Sequence, residues 1–169
     1  YSLLSDGVSI RLMGATDSNV QLGIVANNHV IKNIENVIGT SGKDTIEGDS
    51  GNNVLNGFSG SNDTISFQNA GSSVAANIGT STKYGVTASS ASGTAVGSDS
   101  ILNFDDIKGS AYADTLIGDD NSNTISGDLE SDTLYGEGGA DILIGENGDD
   151  KLTDKLHSSK RESNLDVVV

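Results

Sequence analysis

Eight short segments of the chain gather oxygen ligands at one repeated spacing. From Gly39 the sequence reads GTSGKDTIE, GDSGNNVLN and GFSGSNDTIS. From Gly109 it reads GSAYADTLI, GDDNSNTIS, GDLESDTLY, GEGGADILI and GENGDDKLT. Each unit is nine residues long, with one residue inserted in the third. Glycine stands at position 1 and often at 4, Asp or Asn at 6, and Leu or Ile at 8. Glycine at positions 1 and 4 permits positive φ, which can turn backbone carbonyls toward a common point. The position-6 carboxylate closes that point. Several carbonyls with one or two carboxylates form a Ca²⁺ environment, whereas Mg²⁺ demands stricter octahedral geometry and ranks second. Transition metals would want Cys or His, and the chain has no Cys and two histidines, His29 and His157.

The candidate ligands follow from this register. In the first block they are Gly39, Gly42 and Asp44, then Gly57, Gly60 and Asp63. In the second they are Gly109 with Asp114, Gly118 with Asn123, Gly127 with Asp132, Gly136 and Gly139 with Asp141, and Gly145 and Gly148 with Asp150. If two successive strands make one coil, units n and n+2 stack on one side, about 4.8 Å apart. Two carboxylates that close repel unless a cation lies between them. The expected pairs are Asp114 with Asp132, Asp132 with Asp150, Asn123 with Asp141, and Asp44 with Asp63, so about four ions. Asp49, Asp119, Asp128, Glu137 and Glu146 are read as outer turn acids that add field. The competing reading is a metal-free stack whose Asn and Asp side chains form hydrogen-bonded ladders, which suits Asn53 and Asn123.

These turns need strands to hold them. Position 8 is apolar and its neighbours at 7 and 9 are mostly polar or β-branched, which is strand alternation with one side chain inward. The residues before it are Gly, Asp, Asn and Ser, which is turn chemistry. A nine-residue turn-plus-strand cannot bury its own apolar face, but stacked copies can, and so make a β-solenoid. A longer repeat overlies the short one. Ile31–Gly57 aligns without gaps to Ile101–Gly127, and Tyr1–Leu12 resembles Phe67–Ile78. The expected architecture is all-β, built of two related units of about 70 residues. The first unit spans 1–66, with strand coils over 1–38 and a calcium-repeat block over 39–66. The second spans 67–154, with strand coils over 67–108 and a block over 109–154. Residues 155–169 form a tail. The strand coils are expected at Gly7–Met13, Asn19–Val25, Val30–Asn33, Ser73–Ile78 and Gly85–Ala88, continuing the stack without tight turns. Asp150–Leu156 is a short helix-compatible stretch.

Composition narrows the partners. The 169 residues carry 24 Asp and Glu against 9 Lys and Arg, a formal charge of −15. That disfavours nucleic acid, whose phosphates need a basic face, and anionic membrane surfaces. No apolar run approaches the ~20 residues of a membrane span. Residues 105–154 alone hold 11 Asp and 3 Glu against 2 Lys, a net −12. Without cations this stretch should repel itself and resist compaction.

The units resemble the hemolysin-type calcium-binding repeats of the RTX family, whose consensus is GGxGxDxUx. GEGGADILI and GENGDDKLT match closely. GSAYADTLI and GDLESDTLY lack Gly at position 4, and no unit has Gly at position 2. The resemblance implies a right-handed parallel β-roll with Ca²⁺ in the turns. It also implies export through a type I (ABC) secretion apparatus addressed by the C-terminus. The ending Asp166-Val167-Val168-Val169 resembles such a secretion signal; a frayed tail is the other reading. On this view the module is monomeric, secreted or at the surface of a bacterium, and folded by Ca²⁺ outside the cell.

Catalysis is not expected. Lyases and epimerases built on β-solenoids need an acid and a base over a groove. His29 and His157 are far apart, and Tyr1, Tyr84, Tyr112 and Tyr135 occupy unrelated positions. No Ser/His/Asp constellation, HExxH or phosphate loop is present. Two alternatives to a secretion-linked calcium module stand. One is a structural or adhesive spacer of an extracellular adhesin or surface-layer protein. The other is a non-catalytic appendage of a secreted protease, lipase or polysaccharide epimerase.

Overall fold

Strands of three to six residues alternate with tight turns along most of the chain, because each apolar position 8 has room for one inward side chain before the next Gly-Asp-Ser turn. The computed structural model describes residues 7–13, 18–22, 28–31, 33–155 and 167–168; for 18–22, 28–31 and 167–168 it describes the backbone. The described residues contain no helix. The strands are β1 (Val8–Arg11), β2 (Ser18–Leu22), β3 (Asn28–Ile31), β4 (Asn36–Ile38), β5 (Thr45–Glu47), β6 (Val54–Asn56), β7 (Thr64–Ser66) and β8 (Ala75–Asn77). They continue with β9 (Ser90–Gly93), β10 (Gly97–Leu102), β11 (Asp106–Lys108), β12 (Thr115–Ile117), β13 (Thr124–Leu129), β14 (Thr133–Tyr135), β15 (Ile142–Asn147), β16 (Lys151–Thr153) and β17 (Val167–Val168).

Two sheets face each other. One runs β17-β15-β13-β11-β7-β5-β1-β2-β3 and the other β16-β14-β12-β8-β9-β10-β6-β4. From β4 onward successive strands mostly change sheet, and same-sheet neighbours pair in parallel, as in β5 with β7, β13 with β15 and β14 with β16. The fold is an all-β roll of parallel strands.

Register puts the position-8 side chains in two columns. Ile10, Ile46, Ile65, Ile107, Ile125 and Leu143 are direct partners along the first sheet. Ala76, Leu116, Leu134 and Leu152 are partners along the second, as are Val37, Leu55 and Ile101. All but Leu152 are buried, and Phe67, Val74, Val96 and Phe104 fill the space between the columns. This apolar spine is what the nine-residue turns close around.

The strands outside the nonapeptides depart from the expected coils. β8, β9 and β10 are consecutive antiparallel neighbours, as are β1, β2 and β3. The chain leaves β7, lays β8 next to the later β12, and turns back through β9. It then places β10 beside β6 and β11 beside β7. The reason is local. The 67–100 stretch lacks the GxxGxD turn that carries a chain to the opposite sheet, and Gly93–Gly97 makes a hairpin with Gly97 at positive φ instead. Of the individual strands expected, Gly85–Ala88 is absent. Val86 forms only an isolated bridge to Lys83, and the strand lies at β9. His29, expected just before a strand, lies within β3. The helix-compatible stretch Asp150–Leu156 contains β16. His157, Tyr1, Leu156 and most of the 155–169 tail lie outside the described residues, apart from β17, which pairs with β15.

One loop crosses the outer face of the second sheet. Asn77 Nδ2 donates to the carbonyls of Ser81 and Val86, fixing the loop after β8. Val86 is buried there, as is Ile117, an outward position-9 residue. Tyr84 then stacks on Tyr135 of β14, with ring centroids 3.7 Å apart and planes 10° from parallel.

Candidate metal centre

The position-6 side chains form ladders down both edges of the roll. In each rung a backbone N–H donates to the position-6 oxygen of the next coil. Asp44 donates to Asp63 Oδ1 at 2.8 Å, Asn123 to Asp141 Oδ1 at 2.9 Å, Asp114 to Asp132 Oδ1 at 2.8 Å and Asp132 to Asp150 Oδ1 at 2.9 Å. The four pairs expected from spacing are therefore adjacent rungs. Their direct contact is N–H to carboxylate, which leaves the second carboxylate oxygen for another partner.

Position 2 divides the eight turns into two classes. In the turns from Gly39, Gly48, Gly109 and Gly118, position 2 is Thr40, Asp49, Ser110 or Asp119. Its N–H donates to the position-6 oxygen, at 2.5, 3.0, 2.6 and 2.9 Å in that order. Its side chain accepts the N–H of position 4 in Gly42, Gly51, Tyr112 and Asn121. The chemistry of positions 2 and 6 is matched. Hydroxyls of Thr40 and Ser110 donate to Asp44 and Asp114, while Asn53 and Asn123 donate to Asp49 and Asp119. These four turns are capped by their own side chains.

In the turns from Gly57, Gly127, Gly136 and Gly145 position 2 is left-handed instead: Phe58 (φ 78°), Asp128 (86°), Glu137 (76°) and Glu146 (68°). Position 4 also has positive φ, in Gly60, Glu130, Gly139 and Gly148. This uncapped class has a free ligand. Asp132 is 1 % exposed, and its Oδ2 is buried without a hydrogen-bond partner. Burial pushes Asp132 up to about 6. The Asp114 N–H opposes this, and the charges of Asp114, Asp150 and Asp128 add to it. Burial likewise pushes Asp63 up to about 6, opposed by the Asp44 N–H and reinforced by Asp44, Asp105 and Asp106. A buried carboxylate with an oxygen to spare, such as Asp132, among neighbours of the same sign fits a divalent cation.

Position-1 glycine has a different cause from the one expected. None of these glycines has positive φ. A methyl group on Gly127 would lie 2.0 Å from Asp132 Oδ2, and one on Gly118 would lie 2.5 Å from the Gly136 carbonyl and 2.3 Å from Asn123 Oδ1. The missing side chain makes room for carboxylate and stacked carbonyl to converge. No three acidic or histidine side chains cluster as a metal cage among the described residues. The position-6 side chains are strung one per turn, so an ion between stacked turns would take an oxygen from each of two of them and complete its shell with carbonyls.

Sequence reasoning missed three rungs and two ion pairs. Asp105 Oδ2 accepts the Asp63 N–H, Asp99 Oδ1 the Asn53 N–H, and Asp106 Oδ1 the Thr124 N–H. They lie outside any complete nonapeptide. For Asp99 and Asp105 the signal was an acid two residues before a buried Ile, at Asp99-Ser100-Ile101 and Asp105-Asp106-Ile107. Glu137, read as an outer acid, is 2 % exposed and holds the ammonium groups of both Lys83 and Lys155. Burial alone would raise it, but Lys155, Lys83 and Tyr84 outweigh burial and hold it below the usual carboxylate range.

The family model for the RTX calcium-binding nonapeptide repeat, which spans four copies, matches residues 37–66, 103–134 and 117–152. No curated protein and no solved structure matches the chain. The chain thus carries RTX calcium-binding nonapeptide repeats, a structural calcium-binding module, wound as an all-β roll.

Proposed function

We propose that this chain is the calcium-binding RTX module of a larger secreted protein, non-catalytic in itself and folded by Ca²⁺ outside the cell. The observation that carries the reading is Asp132, stacked between Asp114 and Asp150 with a buried, unpartnered Oδ2 over Gly127. Four ions are expected, one at each uncapped turn, taking Asp63, Asp132, Asp141 and Asp150 with the rung beside each. Calcium neutralises the charge that keeps residues 105–154 apart, and because it binds only the folded turns, its binding free energy becomes folding free energy. The two-unit division at 66/67, the type I secretion apparatus as partner, and the monomeric, extracellular state belong to the same proposal. A structural spacer of an adhesin or surface-layer protein is the second reading. It is favoured by the continuous spine of buried position-8 residues, which makes a stiff rod.

Calorimetric titration with Ca²⁺, followed in parallel by circular dichroism, tests this. The expected result is about four ions per chain and a β spectrum that grows with calcium. Absence of binding, or an unchanged spectrum in excess chelator, would overturn it.

A further inference from the structure

The hairpin that interrupts the repeats carries half of a nonapeptide. Gly97-Ser98-Asp99-Ser100-Ile101 has glycine, acid and buried isoleucine at the spacing of positions 4, 6 and 8. Strand register places Ile101 opposite Leu55 and Ser100 opposite Val54, so Asp99 falls opposite the position-6 residue Asn53. The local geometry follows suit. Gly97 has positive φ, like Gly139 and Gly148. A methyl group on Gly97 would lie 2.4 Å from the Gly51 carbonyl, as one on Gly139 would lie 2.4 Å from the Asn121 carbonyl. The Asn53 N–H donates to Asp99 Oδ1 at 2.8 Å, as Asn123 does to Asp141.

We propose that Asp99 and Asn53 frame a further calcium site, beyond the eight complete nonapeptides, which ties the β9–β10 hairpin to the first repeat block. The second Asp99 oxygen carries the argument. Asp99 is 4 % exposed, and its Oδ2 is buried with no hydrogen-bond partner. It lies beside Asn53 Oδ1 over the bare face of Gly48; a methyl group there would be 3.2 Å from the first oxygen and 2.5 Å from the second. Among the described residues its charged neighbour is Asp49, of the same sign, with no cation beside it. A buried carboxylate with a spare oxygen and no cation beside it takes either a proton or a metal ion. Burial, opposed by the Asn53 N–H, pushes Asp99 up to about 7, so the proton is the competitor to beat near neutral pH. One carboxylate and one amide oxygen make a weaker site than a pair of aspartates.

The inference rests on the reading that ladder oxygens take calcium, and one experiment separates the two. Ca²⁺ is titrated calorimetrically into the full chain and into Asp99→Asn, which keeps the acceptor for the Asn53 N–H. The variant is expected to bind one ion fewer, with the remaining isotherm unchanged. In wild type, hydrogen exchange at residues 90–102 is expected to slow when calcium replaces chelator. Equal stoichiometry in both chains, or a hairpin whose exchange ignores calcium, overturns this site while leaving the repeat sites intact. If wild type binds no ion at all, both readings fall.

Discussion

At the level of single residues, five positions carry a backbone cost that the RTX consensus avoids, four at position 2 and Glu130 at position 4. The consensus has Gly at position 2, and the uncapped turns show why: that residue is left-handed, a conformation that costs a side chain about 1–2 kcal/mol. Here Phe58, Asp128, Glu137 and Glu146 accept it. Glu146→Gly should relieve strain against the higher chain entropy of glycine, leaving stability unchanged or raised by about 0.5 kcal/mol. Glu137→Gly should do the opposite. It strips the buried partner from Lys83 and Lys155 and should cost about 2 kcal/mol or more by denaturant titration in saturating Ca²⁺. Equal effects at both positions would show that the Glu137 ion pairs do not matter to the fold.

At the level of strands and turns, the repeat unit is a single inward side chain held by a ladder. Leu134 is fully buried between Leu116 and Leu152, on a strand with parallel neighbours on both sides. Leu134→Ala should cost about 3 kcal/mol, with the calcium stoichiometry retained. This level was also the most legible in the sequence. Position 8 showed the spine, and position 6 showed which rungs meet, because strict nine-residue spacing converts directly into strand register. The two turn classes were not read, although position 2 shows the cause in most turns. Thr40, Asp49, Ser110 and Asp119 cap theirs, whereas Phe58, Glu137 and Glu146 have no short oxygen to do so. Asp128 has one and is left-handed all the same, so position 2 alone does not decide the class. The antiparallel hairpins were missed for a different reason. Alternation gives the strand but not its direction, and that depends on whether the following turn crosses to the other sheet.

For the molecule as a whole, pH and calcium should act on the same oxygens. Folding raises Asp63 and Asp132 from 3.8 to about 6 and Asp99 to about 7, while Asp106 and Asp114 move the same way, all with burial as the main cause. Groups raised in the fold bind protons more tightly folded than unfolded. Their stabilising share is therefore full below about pH 4 and lost as pH climbs through 6 to 7. Glu137 runs the other way but is one group against five. In chelator the thermal midpoint should be higher at pH 4 than at pH 7.5. In saturating calcium the order should reverse, since protons displace the metal. A midpoint in chelator that rises with pH would refute this account.

The interleaved strands have a mechanical consequence. In a plain solenoid each coil touches only the next, so tension on the two ends can peel coils off one at a time. Here β6 and β7 are covered by β10 and β11, strands that come from beyond β8 and β9. Pulling the chain straight from the first block must shear parallel strands past one another at that junction, rather than unzip them. The junction should therefore be the last part to give way, after the plain repeats beyond it have peeled off.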